Sequence, residues 1–553
     1  MSVETVATSA GSEDNRLASR IARAWTVVER SLVRAGDWLN PILVKETRQA
    51  LKSFQFTATF ILLLIACWVV TMGGVAYIGP RIFYAAEGGS LMLWYYGILA
   101  FPLAVVVPYA AFRSLASERE DNTYDLLSIT TLKPRQIITG KLGSSIVQMG
   151  VFFSAITPCL AFTYLLRGID LPTIAVLLAY LFFWSLALSM VGILVATLTK
   201  RRFAHVFLSV AFLGALLLLF RLAIMEVSFP MIQMSYSYLG SSEFWLFVLV
   251  VATFYLTSFA LAYFAAAGMI SFASENRSTP LRICMLVQMA AIVGWISYAW
   301  IVSLYHLEVV AGLAAAGAVY WYVMGTMLTA EHPGMSQRVK RRLPHTTVGR
   351  IFFSWLNPGP ASGYMFAVAN ATAVAVLCWV AADIPDVIGR TGRGSLHREE
   401  FRYMLIIGWS YLLAYLGIGL LIIRVLRKFA VVTMLACVLI HLLLVLGGFG
   451  IPYAIKSMSV ALRDADYSFL QITDPFFSLY HVAEGGVLAD TFKLLAIIPS
   501  VALCVLLANM PGVIRELQIV REAAPKRVQE DEAELNPPPE VQPASPWDEP
   551  VAT

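Results

Sequence analysis

The residues best suited by type and spacing to do chemistry run from Arg113 to Lys141, RSLASEREDNTYDLLSITTLKPRQIITGK. This is the longest charged interruption in an early chain otherwise made of membrane-length apolar runs. Ser117 followed by Glu120 is a capping-box pattern, in which a hydroxyl accepts from the third amide and a carboxylate reaches back. It predicts a short helix starting near Ser117. On that helix Glu118, Asp121 and Asp125 share one stripe, while Tyr124 and Leu127 fall on another face. Carboxylates in a first turn suit the positive end of the helix dipole. Lys133-Pro134 then breaks the chain, because the residue before proline avoids the helical region and proline fits a first helical position. A new helix is expected there, with Arg135 and Lys141 at headgroup depth. The expected product is a short, acidic, amphipathic helix hung from two spans and shaped for docking on a partner.

Other chemistry is sparse. Gly140-Lys141 is the only fragment resembling a phosphate loop, but Arg135 and Leu142 stand where glycine and a magnesium-binding hydroxyl are required. The chain is therefore expected to bind no ATP or other cofactor of its own, and no nucleic acid. No H-E-x-x-H or G-x-S-x-G signature occurs, so no catalytic or metal-ligating residue is assigned. Six cysteines lie in or at the edge of apolar runs without a C-x-x-C partner, which predicts neither disulfides nor a metal site. One loop, with Asp464, Asp466, Asp474, His481 and Glu484, is acidic enough to keep a polytopic glycosyltransferase as an alternative, although a solvated acidic loop is the commoner meaning. An ion-coupled carrier is a second alternative. It wants carboxylates or histidines in mid-span, whereas His205 and His441 fall near predicted span ends. Arg221 and Glu226 are ionisable residues at membrane depth, which face either a translocation path or each other.

The elements that must position these residues follow from composition. The 553 residues are 59% hydrophobic and 14% charged, well below the quarter charged of soluble domains. The mean hydropathy is +0.72. An all-α, multi-pass membrane protein follows. Runs of about twenty apolar residues place twelve spans near 57–79, 91–112, 144–166, 171–198, 203–225, 244–270, 283–305, 309–329, 364–382, 401–423, 430–454 and 492–510. Lysine and arginine cluster in alternate loops, which puts those loops and both termini in the cytoplasm. Pro102, Pro108 and Pro158 are expected to bend their helices. Residues 1–39 divide into a polar segment and a basic amphipathic helix, with Ile21, Trp25, Val28 and Leu32 opposite Arg20, Arg23, Arg30 and Arg34, a pattern for lying on membrane lipids. Residues 513–553 form an acidic, proline-rich tail expected to be disordered.

A second helix precedes the first span. Asn40 reads as its cap and Pro41 as its first residue. Leu43, Val44, Thr47, Ala50, Leu51 and Phe54 make an apolar arc, with Lys45, Arg48, Gln49 and Lys52 opposite. NPILVKETRQ (Asn40, Pro41, Lys45, Glu46, Arg48) resembles the elbow helix of ABC-2 type transporter permeases. SEREDNTYDLLSITTLKPRQIITGK resembles the loop between their second and third spans, through Glu118, Arg119, Glu120, Thr123, Asp125, Leu127, Leu132, Ile137, Gly140 and Lys141. Asn122 replaces the usual glycine and Thr131 the usual proline.

The resemblance implies a six-span permease core over residues 40–280, with a re-entrant hairpin between the fifth and sixth spans at 226–243. It implies that Glu118, Arg119, Glu120, Asp121, Thr123, Tyr124, Asp125 and Leu127 dock a separate ATPase subunit, which supplies ATP and magnesium. It also implies export across the inner cell membrane by a homodimer or a heterodimer with a second permease. Residues 281–512 would be an accessory six-helix bundle. There Asn357-Pro358 faintly echoes the elbow, but no second coupling loop follows.

Overall fold

The computed structural model describes residues 40–83, 86–120, 133–199, 202–228, 240–272, 275–332, 355–387, 396–458, 469–484 and 488–521, with a few isolated residues besides. Among these the architecture is all-helical, and twelve helices are long and apolar enough to cross a membrane. Their order and number match the spans read from hydropathy. The chain divides into two compact units, Met1–Ser271 and Phe272–Thr553, a border slightly ahead of the expected one at 280.

The first unit opens with α1 (Pro41–Leu51), whose cap is Asn40: its side chain accepts from the Ile42 amide at 3.1 Å. Lys45, Arg48, Gln49 and Lys52 are exposed, as expected. The buried face differs from the expected arc, because Ile42 and Glu46 are the two buried residues while Phe54 is exposed. Next come α2 (Phe54–Ile78) and α3 (Gly88–Glu120). Within α3, Pro102 opens a π-turn over Pro102–Val106, and the Leu103 carbonyl accepts from Ser185 Oγ instead. The expected helix start at Ser117 is not found. α3 continues without a break to Glu120, and Ser117 Oγ donates back to the Ser114 carbonyl at 3.4 Å. From Tyr109 onward no glycine or proline interrupts a run of good helix formers, so no free amides exist for Ser117 to cap.

After the loop come α4 (Pro134–Leu165), α5 (Leu171–Thr197), α6 (Arg202–Leu222) and α7 (Ser242–Ile270). α4 starts at Pro134 as expected, with the Lys133 amide donating to Gln136 Oε1 at 2.9 Å. α3 is the most buried of the six spans. Its Met92, Tyr95, Tyr96, Leu99 and Leu103 pack with Met149, Phe152 and Ile156 of α4 and Leu177 and Leu181 of α5. Nearer its end, Phe112, Leu115 and Ala116 meet Ile137, Ile138, Ile193, Ala196 and Phe212.

The second unit contains α8 (Ser278–Val302), α9 (Leu307–Thr329), α10 (Pro360–Ala381), α11 (Arg398–Leu426), α12 (Met434–Met458), α13 (Pro475–Ala483) and α14 (Leu488–Arg521). α11 is the buried axis here, packed against α9, α10, α12, α13 and α14. The echo of an elbow at Asn357-Pro358 has no structural counterpart. Asn357 is buried in a bend, and the helix starts at Pro360 and runs on as a span. α13 is a surprise, since hydropathy reads the chain between α12 and α14 as an acidic aqueous loop.

Candidate functional site

Three stretches far apart in sequence meet at one lysine. Lys141, in the second turn of α4, is buried with a side chain only 1% exposed. Its ammonium lies 3.0 Å from Glu46 Oε1 of α1 and 3.1 Å from Glu118 Oε2 near the end of α3. The ammonium also donates to the Ser114 carbonyl at 3.1 Å. Lys45 reaches Glu118 Oε1 at 3.5 Å, so two cations face two carboxylates. Glu118 and Lys141 are the two sides of the loop that begins at Asp121. Their ion pair closes that loop at its base.

Packing explains why glycine precedes this lysine. A side-chain carbon at Gly140 would fall 2.7 Å from Ile42 Cγ2 and 3.1 Å from the Leu43 amide nitrogen. Only glycine lets α1 lie this close on α4, which is what brings Glu46 within reach of Lys141. Asn40 strengthens the junction, since its Nδ2 donates to the Gln136 carbonyl in the first turn of α4.

The neighbouring charges also turn inward. Arg119 is 8% exposed, and its guanidinium donates to the Thr197 carbonyl at 2.8 Å and the Thr199 carbonyl at 3.4 Å. It thereby binds orphan carbonyls at the C-terminal end of α5, where a cation is favoured. Glu120 lies 3.8 Å from Arg113. Within this unit, Glu118 of the expected stripe faces Lys141, and Arg119 faces the end of α5. Asp121, Thr123, Tyr124, Asp125, Leu127 and Leu132 lie outside the described residues.

The remaining candidates are not brought to this site. Arg221 ends α6 on an exposed face, and Glu226 falls in a π-turn at Ala223–Ser228, its side chain outside the described residues, as is most of the expected hairpin at 226–243. In the acidic loop, Asp474 is a helix cap, accepting from the Phe476 and Phe477 amides at 2.9 and 3.1 Å. His481 stacks on Tyr467 with ring centres 4.6 Å apart. Asp464 and Asp466 lie outside the described residues. Among the described residues no group of three or more His, Cys, Asp or Glu is arranged to hold a metal ion.

The second unit holds a buried ion network that sequence reasoning missed. Arg282, which reads as a loop cation, is fully buried. It donates to Glu331 Oε2 at 2.8 Å and to the Trp355 carbonyl at 2.6 Å. Glu331 Oε2 also accepts from the Gly359 amide at 2.8 Å. Glu516 of α14 accepts from the Ala361 and Ser362 amides at 3.0 and 2.7 Å, capping α10 from another helix. Arg427 donates to the Ala330 and Glu331 carbonyls, both at 2.9 Å. His441, far from the network's residues in sequence, is buried two turns into α12 with Nδ1 at 2.9 Å from the Cys437 carbonyl. The only sequence signal for the network is that charged residues flank apolar spans, and that pattern equally describes headgroup contacts.

No family model, no curated protein and no solved structure matches this chain.

Proposed function

We propose that this chain is the membrane-spanning subunit of an ATP-driven exporter of the ABC-2 kind, worked by a separate ATPase that docks on the loop after Glu120. One observation supports the reading above the others. Glu46 comes from one of the two stretches that carry the resemblance, Glu118 and Gly140-Lys141 from the two ends of the other, and they converge in one buried cluster. A force applied to the loop acts on α3 and α4 through their clamped ends. It reaches α1 through Glu46 and α5 through Arg119. This is the linkage that a coupling loop requires. In this reading the loop and both termini face the cytoplasm, the protein resides in the inner cell membrane, and two permease cores pair around the path. Nucleotide and magnesium belong to the partner. In the second unit Glu331 and Glu516 are pinned by backbone amides, an arrangement unlike the exchangeable carboxylate that an ion-coupled carrier needs.

The test separates docking from bracing. Asp121→Lys with Asp125→Lys should abolish co-purification of an ATPase from the native membrane, while chain yield stays unchanged. Disrupting desolvated interfacial charges costs on the order of 2–5 kcal/mol, which is about 30-fold or more in affinity. Glu118→Gln should instead lower stability before it affects docking. Vanadate-sensitive ATPase activity retained by the double variant at the wild-type level would sink the coupling assignment.

A further inference from the structure

Residues 469–484 are read from sequence as part of an aqueous loop. Their partners say otherwise. The Tyr411 hydroxyl donates to the Ile472 carbonyl at 2.6 Å and lies 2.9 Å from Ser478 Oγ. Tyr415 donates to the Thr473 carbonyl, and Thr473 Oγ1 donates to the Gly448 carbonyl at 3.2 Å. Tyr411 lies roughly 20 Å along α11 from Arg398, and Gly448 roughly 15 Å along α12 from Met458, at about 1.5 Å per residue. A hydrocarbon core is about 30 Å thick, so the turn before α13 lies deep within the depth that α11 and α12 span. The backbone makes the same point. Water satisfies turn carbonyls without help, but hydrocarbon does not, and non-helical backbone at that depth needs protein partners. Here the Gln471, Ile472 and Thr473 carbonyls accept from the Asp474 amide, Tyr411 and Tyr415, while Asp474 takes the first free amides of α13.

The free side of α13 presents two aromatic rings, with the Tyr480 hydroxyl donated to Glu484 at the end of the helix. Phe476 and Tyr480 are 62% and 56% exposed, and that face continues the exposed apolar surface of α12 at Leu442, Leu443, Phe449 and Tyr453. On its other side Leu479 forms one wall of an apolar cleft of about 110 Å³, with Ala315, Ala371, Gly408 and Trp409 among the rest. The Trp409 indole N–H is already donated to Thr372 Oγ1 at 2.9 Å, so the cleft offers no free donor there. Gly448 makes the turn possible. A side-chain carbon there would clash with the Tyr415 hydroxyl and sit 3.0 Å from the Thr473 carbonyl.

We propose that residues 469–484 form a re-entrant half-helix embedded in the bilayer, latched by Tyr411 and Tyr415, with its Phe476–Tyr480 face against lipid acyl chains. The proposal does not rest on the export reading. In a chain whose native cysteines are replaced by alanine and which is reconstituted in phosphatidylcholine vesicles, nitroxides are attached at Phe476→Cys and, separately, Tyr480→Cys. Oxygen, which partitions into hydrocarbon, should relax both spins more than a water-soluble nickel chelate does. Leu443→Cys, on the lipid face of α12, gives the reference ratio and reports that the bundle has folded. Nickel exceeding oxygen at 476 and 480, with Leu443→Cys still lipid-like, overturns the embedded position. Adding Tyr411→Phe with Tyr415→Phe should raise nickel access at 476 several-fold. An unchanged ratio overturns the role of the two tyrosines as the latch.

Discussion

The clusters around Lys141 in the first unit and Arg282 in the second handle buried charge in different ways. In the first, Lys141 holds two carboxylates from other helices, and most of its partners are side chains. In the second, Arg282, Glu331 and Glu516 spend much of their bonding capacity on backbone groups at helix ends. Backbone partners fix a helix end in place, because the donors and acceptors cannot rotate away. Side-chain partners can exchange. The second network is thus a knot that holds the ends of α8, α9, α10 and α14 together. The first is a joint, placed at the base of the loop that follows Glu120.

Breaking the knot should have the largest effect. Arg282→Met takes the cation from Glu331 and the donor from the Trp355 carbonyl in a buried site, and removing one partner of a buried ion pair costs about 3–5 kcal/mol. Hydrogen exchange at residues 360–363 should accelerate while that at 134–142 does not. Unchanged protection at 360–363 would mean that the arginine is not what orders α10's first turn.

The sharper comparison comes from exchanging charges. Lys141→Met alone should lower the thermal midpoint in detergent, since it leaves Glu46 and Glu118 buried without their shared cation. Lys141→Glu combined with Glu46→Lys and Glu118→Lys should recover part of what Lys141→Glu loses, because the Ser114 carbonyl is the one backbone partner that then meets a carboxylate. Arg282→Glu with Glu331→Arg should recover little, because the Trp355 carbonyl cannot accept from a carboxylate and the Gly359 amide cannot donate to a guanidinium. Equal recovery in both swaps would erase the distinction between joint and knot.

The smallest effect is at the edge of the joint. Asn40→Ala removes the cap of α1 and its bond to the Gln136 carbonyl, and cap losses cost about 0.5–2 kcal/mol. Urea unfolding of the first unit should show a shift of that size and no change in docking.

Span order was readable from sequence because hydropathy is a local property summed over about twenty residues. The joint was not, because Glu46, Glu118 and Lys141 come together only through packing. The elbow helix shows why. Its apolar arc was expected to mark the buried face, yet a carboxylate with a cation waiting on α4 buries better than Phe54, which has no protein neighbour to cover it. The capping box at Ser117 failed for a related reason, since the motif describes a helix start and α3 was already helical there. The half-helix at Pro475–Ala483 escaped notice because its nine residues are too short to register as a span.

The π-turn at Pro102–Val106 has a consequence for the azimuth of everything after it. Each residue of an α-helix advances about 100° around the axis. A π-turn holds one residue more than the regular turn it replaces. A regular α-helix carrying the same residues would leave the first half of α3 seated among Met149, Phe152 and Leu177. The second half would be rotated by about 100°. Glu118 would then swing away from Lys141, and Arg119 away from the end of α5. The turn acts as a phase setting between two halves of one helix. Hydrophobic packing fixes the first half, and the second half carries the charges that the loop depends on. A single-residue deletion inside the turn should therefore spare the joint, whereas one between Val107 and Arg113 should spare membrane insertion and disable the joint, although it removes none of the joint's residues.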